Sequence, residues 1–238
     1  MYKIYFITLF CFLGFFSNAQ TVLLEENVEK DTITPKWGQN YKNYQHFYID
    51  YGFLVDQPEK KGADIKYGNT HTFSIGYRYK RRLCNFYAIG FDLSYYRFTY
   101  NLKQDSNKIL PNTLQHNKEK LIFNNLSLEL YNRFNIGRRG NLIGKFIDIG
   151  VYGNWAYGIK HFYRDELSNA NPNNLANIVE VTNKNLDYME NINYGLRARV
   201  GINRYTISAN YRLSNFFKEK YNYPELPRLS IGLQIGFY

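Results

Sequence analysis

The sequence predicts an all-β fold, an eight-stranded antiparallel up-and-down transmembrane β-barrel, on three observations. Eight segments alternate their side chains with period two. The connections between them are alternately short and long. An apolar leader precedes them all. The 238 residues carry 30 Lys and Arg against 20 Asp and Glu, a formal charge of +10, with 24 Tyr and 18 Phe. So many aromatics exclude a disordered polymer. Two cysteines exclude a disulfide-stapled scaffold and a Cys-based zinc site.

In chain order, Met1–Ala19 has one cation, Lys3, then an apolar run from Ile4 to Phe16, then Ser17-Asn18-Ala19. This is the order of a secretory signal peptide cut before Gln20. A membrane anchor is the alternative, but the run is too short for a ~30 Å hydrocarbon layer. Cleavage leaves Cys84 without an intramolecular partner and lowers the charge to +9. Residues 20–44 form a polar lead-in with Glu25, Glu26, Glu29 and Asp31, whose apolar handles are Val22, Leu23, Leu24 and Trp37. It reads as a flexible tail or as a docking strand. The barrel is placed at 45–238.

The first strand sets Phe47, Ile49, Tyr51, Phe53 and Val55 against Tyr48, Asp50, Gly52 and Leu54. The second sets Phe73, Ile75, Tyr77 and Tyr79 against Thr72, Ser74, Gly76 and Arg78. The third runs Tyr87 to Tyr95 with Asp92 on its polar side. The fourth has Leu126, Leu128, Leu130 and Phe134 outward, broken by Asn132, with Glu129, Tyr131 and Arg133 inward. The fifth pairs Ile147, Ile149, Val151 and Trp155 with Asp148, Gly150, Tyr152 and Asn154. The last three span 192–203, 205–214 and 229–238 and carry Arg197, Arg199 and Arg212 on their polar side. Roughly nine to twelve residues suit a tilted membrane-spanning strand.

Short links follow the second, fourth and sixth strands, at Lys80–Asn85, Gly137–Leu142 and Asn203-Arg204. Long polar links cover 56–69, 100–120, 160–187 and 215–228, and the run 169–174 of the third reads as turn and coil. This is the plan of an outer-membrane barrel with both termini periplasmic, in a Gram-negative envelope. A soluble sandwich or lipocalin-like barrel also alternates, but it turns its apolar face inward. Mid-strand charges, Tyr at strand ends and a terminal Phe237-Tyr238 pair favour the inverted arrangement.

The predicted interior holds Arg78, Arg133, Arg197, Arg199 and Arg212 against Asp50, Asp92, Glu129 and Asp148. Nine inward glycines (52, 76, 90, 144, 150, 195, 201, 232 and 236) are expected to leave room for the guanidinium stems. Eight strands enclose little space, so a self-neutralising plug is favoured over a narrow solute pore. A lipid-modifying barrel enzyme is the third reading. His161 with Asp165 and Ser168 is the one candidate cluster, set against a solvated loop histidine. His46, His71 and His116 have no metal-ligand spacing. No phosphate loop, GxSxG, HExxH or EF-hand occurs. The expectation is therefore no enzyme, no cofactor and no metal.

The phrases FYIDYGF, FSIGYRY, FYAIGFDLSYYRF, FIDIGVYGNW and LSIGLQIGFY, behind a leader and a short lead-in, resemble the PorT-like outer-membrane β-barrel proteins. The resemblance covers most of the mature chain and lies in strand phrases, with no catalytic signature. It implies a small barrel linked to protein secretion or to a larger outer-membrane assembly.

The excess charge has a place. Lys80, Arg81, Arg82, Arg138, Arg139, Lys145 and Arg204 fall in or beside the short links, which contain no acid. Outer-membrane lipids with anionic headgroups are the modest reading of that basic rim. An acidic envelope protein partner is the sharper one, and nucleic acid is not expected.

Overall fold

Period-two alternation becomes eight strands and a ninth, β6, joins them among the described residues: β1 (Asn43–Leu54), β2 (His71–Arg82), β3 (Tyr87–Asn101), β4 (Lys118–Ile136), β5 (Lys145–Glu166), β6 (Ile178–Lys184), β7 (Ile192–Ile202), β8 (Tyr205–Arg212) and β9 (Leu229–Phe237). They are seen in a computed structural model that describes residues 35–58, 61–166 and 178–237. The expected signal peptide, most of the lead-in, Ser168 and Tyr238 lie outside the described residues. All pairings among the strands are antiparallel. Eight strands close in a ring, β1-β2-β3-β4-β5-β7-β8-β9 and back to β1. The ninth, β6, stands outside it, paired only with the far end of β5.

Closure gives every ring strand a paired neighbour on both sides, and pleating sends alternate side chains in and out. The inward rows are buried and the outward rows exposed. The outward residues are the ones expected: Phe47, Leu130, Val151 and Ile192 are 61, 60, 56 and 69% exposed. Asn132, the break in that apolar row, is capped by its neighbour: the Tyr87 hydroxyl donates to its Oδ1 at 2.6 Å. Tyr77, Tyr79 and Tyr95 do the same for Gln45, Asn43 and Asn124.

The apolar residues change sides along β3 and β4. Phe91 and Leu93 point outward, but Phe98 and Tyr100 are buried inward; Leu126 and Leu128 point outward, but Phe123 and Leu121 are buried inward. Neither strand changes parity there, so the switch marks the upper edge of the outward apolar band. Above it the strands enclose a conventional core.

Several boundaries differ from expectation. The hairpin β3–β4 and strand β5 run well past the band, because the buried core above it gives their ends something to pack on. β6 lies within the third long link, where the sequence predicts a polar loop and no strand. β5 also carries a bulge: Asn125 pairs with Ala156, but Asn124 pairs with Gly158, so Tyr157 is extra. From there on odd-numbered residues face inward, and His161 is buried.

The inward glycines serve aromatic rings more than guanidinium stems. A Cβ on Gly76 would meet the Tyr48 ring at 2.8 Å, and one on Gly195 the Tyr152 hydroxyl at 2.6 Å. Gly144 is not an inward strand glycine at all. It sits in the turn before β5 with φ +75°, where a Cβ would be strained. The three atoms that a Cβ on Gly201 would meet first all belong to the Phe146 ring. Gly201→Ala should therefore lower stability by about 1–3 kcal/mol through overpacking. Phe146→Leu in the same chain should recover part of it, read as a sub-additive double-mutant cycle in urea. Additive losses would contradict the contact.

Candidate functional site

Ionisable side chains converge in the interior of the ring, which is filled in three layers. At the short-turn end, Tyr44, Ile143 and Phe146 form a small buried cluster. His46 stacks on Tyr44 at 5.1 Å. The lead-in folds back here: Asn43 N–H donates to the Lys36 carbonyl, and Gly38 N–H to that of Asn43. Lys80, expected on the basic rim, is instead buried in β2, its Nζ donating to the Gln39 carbonyl at 2.7 Å. The reason is parity: β2 continues to Arg82, which turns Lys80 inward with Arg78.

The middle layer is ionic. Arg133 grips Asp148 with two bonds of 2.7 Å. Arg78 Nε donates to Asp92 Oδ2 at 2.9 Å, and the Tyr48 hydroxyl to its other oxygen at 2.7 Å. Arg197 donates to Glu129 Oε2 at 2.7 Å, and Arg199 donates to the same oxygen. Arg199 also lies 3.6 Å from Asp148 and 3.8 Å from Asp92. It thus touches all three carboxylates, and every member is almost wholly buried. Registration explains the pairs: Arg78 stands opposite Asp92, Arg133 opposite Asp148 and Asp148 opposite Arg199. Aromatic faces complete the packing, with the Arg133 guanidinium 3.7 Å from the Phe146 ring centre and Arg78 4.5 Å from that of Tyr48.

Two expected members behave differently. Asp50 is buried but takes its bond from the Ser208 hydroxyl, at 2.8 Å, rather than from an arginine. Arg212 pairs with Glu225 of the last long loop at 2.9 Å and donates to the Leu226 carbonyl at 2.8 Å. It is a strut between ring and loop.

The third layer was not legible as a layer. Phe98, Tyr100, Leu121, Phe123 and Ile159 from the strands pack with Ile65, Leu110, Met189, Phe216, Phe217 and Leu226 from the long connections. Connections that read as long and polar form a hydrophobic lid over the ring.

His161 is not the solvated loop residue that the sequence favours, since it is buried in β5, and it does not pair with Asp165 as the candidate cluster required. His161 Nε2 meets Glu119 Oε1 at 2.7 Å, because the bulge turns it inward, and Asp165 instead holds His116 at 2.8 Å. Lys108 also pairs with Glu119. Burial opposes the Glu119 charge, but bonds from His161, Lys108 and Gln104 prevail and hold its carboxyl below the usual range. Burial pushes the nearby Tyr188 phenol up. His71 sits against the Asn69 carbonyl at 3.0 Å and stacks on Tyr51. Among the described residues no three His, Cys, Asp or Glu side chains are grouped to hold a metal.

At the short-turn end Arg81, Arg138 and Arg204 are exposed, and Arg82 and Arg139 half-buried. Arg139 donates to the Asn85 carbonyl at 2.6 Å, tying two short turns together. Cys84 is free and exposed in the first of these turns. No protein-family model matches the chain, and no curated protein matches it.

Proposed function

We propose that this chain is an outer-membrane β-barrel that does not conduct and is not an enzyme, serving as a structural or accessory subunit of an envelope protein complex. What carries the reading is an inversion of polarity: apolar side chains cover the outside of all eight ring strands, while arginines and carboxylates fill the inside. A continuous exposed apolar surface of that extent calls for a non-aqueous surrounding. The closed ring is the form of sheet that leaves no edge for lipid to solvate. The filled interior argues against a pore: ionic, aromatic and apolar layers lie in series along the axis.

With the interior closed, function falls to the ends. The basic turns suit an acidic periplasmic partner, consistent with the PorT-like resemblance. The test has two arms. Purified protein in planar bilayers should be electrically silent and should migrate faster on gels before boiling than after; ohmic steps would restore the narrow-pore reading. Mild detergent extraction should co-purify an envelope protein whose recovery falls at least tenfold when Arg81, Arg82, Arg138 and Arg139 become Glu. Recovery of a lone monomer at native abundance would sink the accessory-subunit reading.

A further inference from the structure

Strand β5 changes partner at the upper edge of the apolar band. It pairs with β7 up to Trp155 opposite Ile192, and with β6 from Lys160 opposite Lys184. Between them Ala156 N–H donates to the Asn191 carbonyl, and residues 157–159 form no ladder on that edge. The bulge at Tyr157 and the departure of the chain into the β6–β7 connection open a notch of about 920 Å³ in the side of the molecule.

Three lysines from three elements line this notch: Lys160 of β5, Lys184 of β6 and Lys218 of the β8–β9 connection. Asp187 is the one acid among the lining residues, and among the described residues no carboxylate lies within ion-pair distance of any of the three lysines. Trp155 and Tyr157, 57 and 58% exposed, stand at the foot of the notch on the outward apolar face. Asn185 and Asn191 also line it.

This combination has a chemical meaning. Three lysines and a single acid around one notch give it a net positive charge, which suits an anion of more than one charge. Lysine binds phosphate as a point charge from a flexible stem, which suits a ligand approached from several sides. Exposed indole and phenol at the foot suit a molecule apolar below and polar above. Amides beside the cations suit hydroxyl groups. We infer that the notch binds the phosphorylated sugar headgroup of an outer-leaflet glycolipid of the lipid A type, acyl chains descending along Trp155 and the outward face of β5. The inference rests on the outer-membrane reading, which puts the long-connection end in the outer leaflet.

Full-length protein in detergent micelles, titrated with diphosphorylated lipid A and followed by tryptophan fluorescence, tests it. Saturable binding is expected, at least tenfold weaker for the K160A/K184A/K218A triple variant and for dephosphorylated lipid A. A control triple of exposed lysines at the same end, K61A/K66A/K118A, should bind as the parent does. Both triples must keep the heat-dependent gel shift, which separates loss of the site from loss of the fold. Equal binding to both triples, or equally tight binding of phosphatidylglycerol, would overturn the site in favour of general membrane charge. Displacement by millimolar inorganic phosphate would make it a soluble-phosphate site and overturn the lipid assignment. Insertion into phosphatidylcholine vesicles is scored separately: insertion without lipid A binding rejects this site alone, and failure to insert rejects the membrane reading and the site with it.

Discussion

Glu129→Gln should destabilise the protein by about 3–5 kcal/mol, the range for breaking a buried pair by removing one partner. The substitution keeps shape and volume, so packing is not the cause. Glu129 is the carboxylate that Arg197 and Arg199 share through one oxygen. Four arginines in the layer are in contact with three carboxylates, and losing one leaves four cations on Asp92 and Asp148. Arg199→Met provides the contrast. It removes the group with the most ionic contacts, yet Asp92 keeps Arg78, Asp148 keeps Arg133 and Glu129 keeps Arg197. Three charges then face three, and the long apolar stem is replaced in kind. A count of contacts ranks Arg199→Met as the worse change; charge balance ranks Glu129→Gln worse. Urea midpoints in detergent micelles decide between them. A larger loss for Arg199→Met would show that hub contacts, not balance, set the stability of the layer.

The inward arginines and acids were legible because a strand permits only two directions, and within the apolar band one of them is already taken by Phe, Ile, Leu and Val. Once Ile147, Ile149 and Val151 face outward, Asp148, Gly150 and Tyr152 have nowhere else to go. Outside the band the same rule misleads. At Phe98 and Phe123 the apolar side becomes the inner one with no break in alternation. A reader following the outward apolar row loses it there and ends the strand too early. At Tyr157 the bulge inverts parity, which no spacing in Trp155–His161 announces, and so His161 meets Glu119 rather than Asp165. Lys80 misleads for the opposite reason: consecutive cations read as a turn, where the pleat carries on through them and turns Lys80 inward. The lid was hidden because its residues are far apart in sequence. Ile65, Ile109-Leu110, Met189 and Phe216-Phe217 are short apolar spots in polar connections, and only closure of the ring brings Ile65, Leu110, Met189 and Phe216 together. Glycine was legible as a small inward residue, but what it makes room for depends on the register of the next strand. That register places Gly201 opposite Phe146, and Gly76 opposite Tyr48.

Phe216→Ala should cost about 3–5 kcal/mol, as for other large aromatic truncations in a core. The ring is fully buried, stacked on Phe123 at 4.3 Å and met edge-on by Phe98 and Tyr100 at 5.8 Å. The Arg212 guanidinium lies 3.7 Å from its centre. Truncation therefore opens a cavity in the lid and uncovers the strut that ties the last connection to β8. The loss should be local in form. Proteolysis within 213–228 should quicken, while the heat-dependent gel shift of the ring persists, because strand pairing and the ionic layer do not involve Phe216. Bilayer recordings then show which layer seals the interior. Below the lid, Arg78, Arg133, Arg197 and Arg199 with their carboxylates still fill the cross-section, so the variant should remain silent. Current through Phe216→Ala would mean that the lid alone holds the ring shut and that the ionic layer is permeable. Silence in Phe216→Ala with current in Glu129→Gln would place the seal in the ionic layer, because a lid intact in that second variant had not stopped the ions.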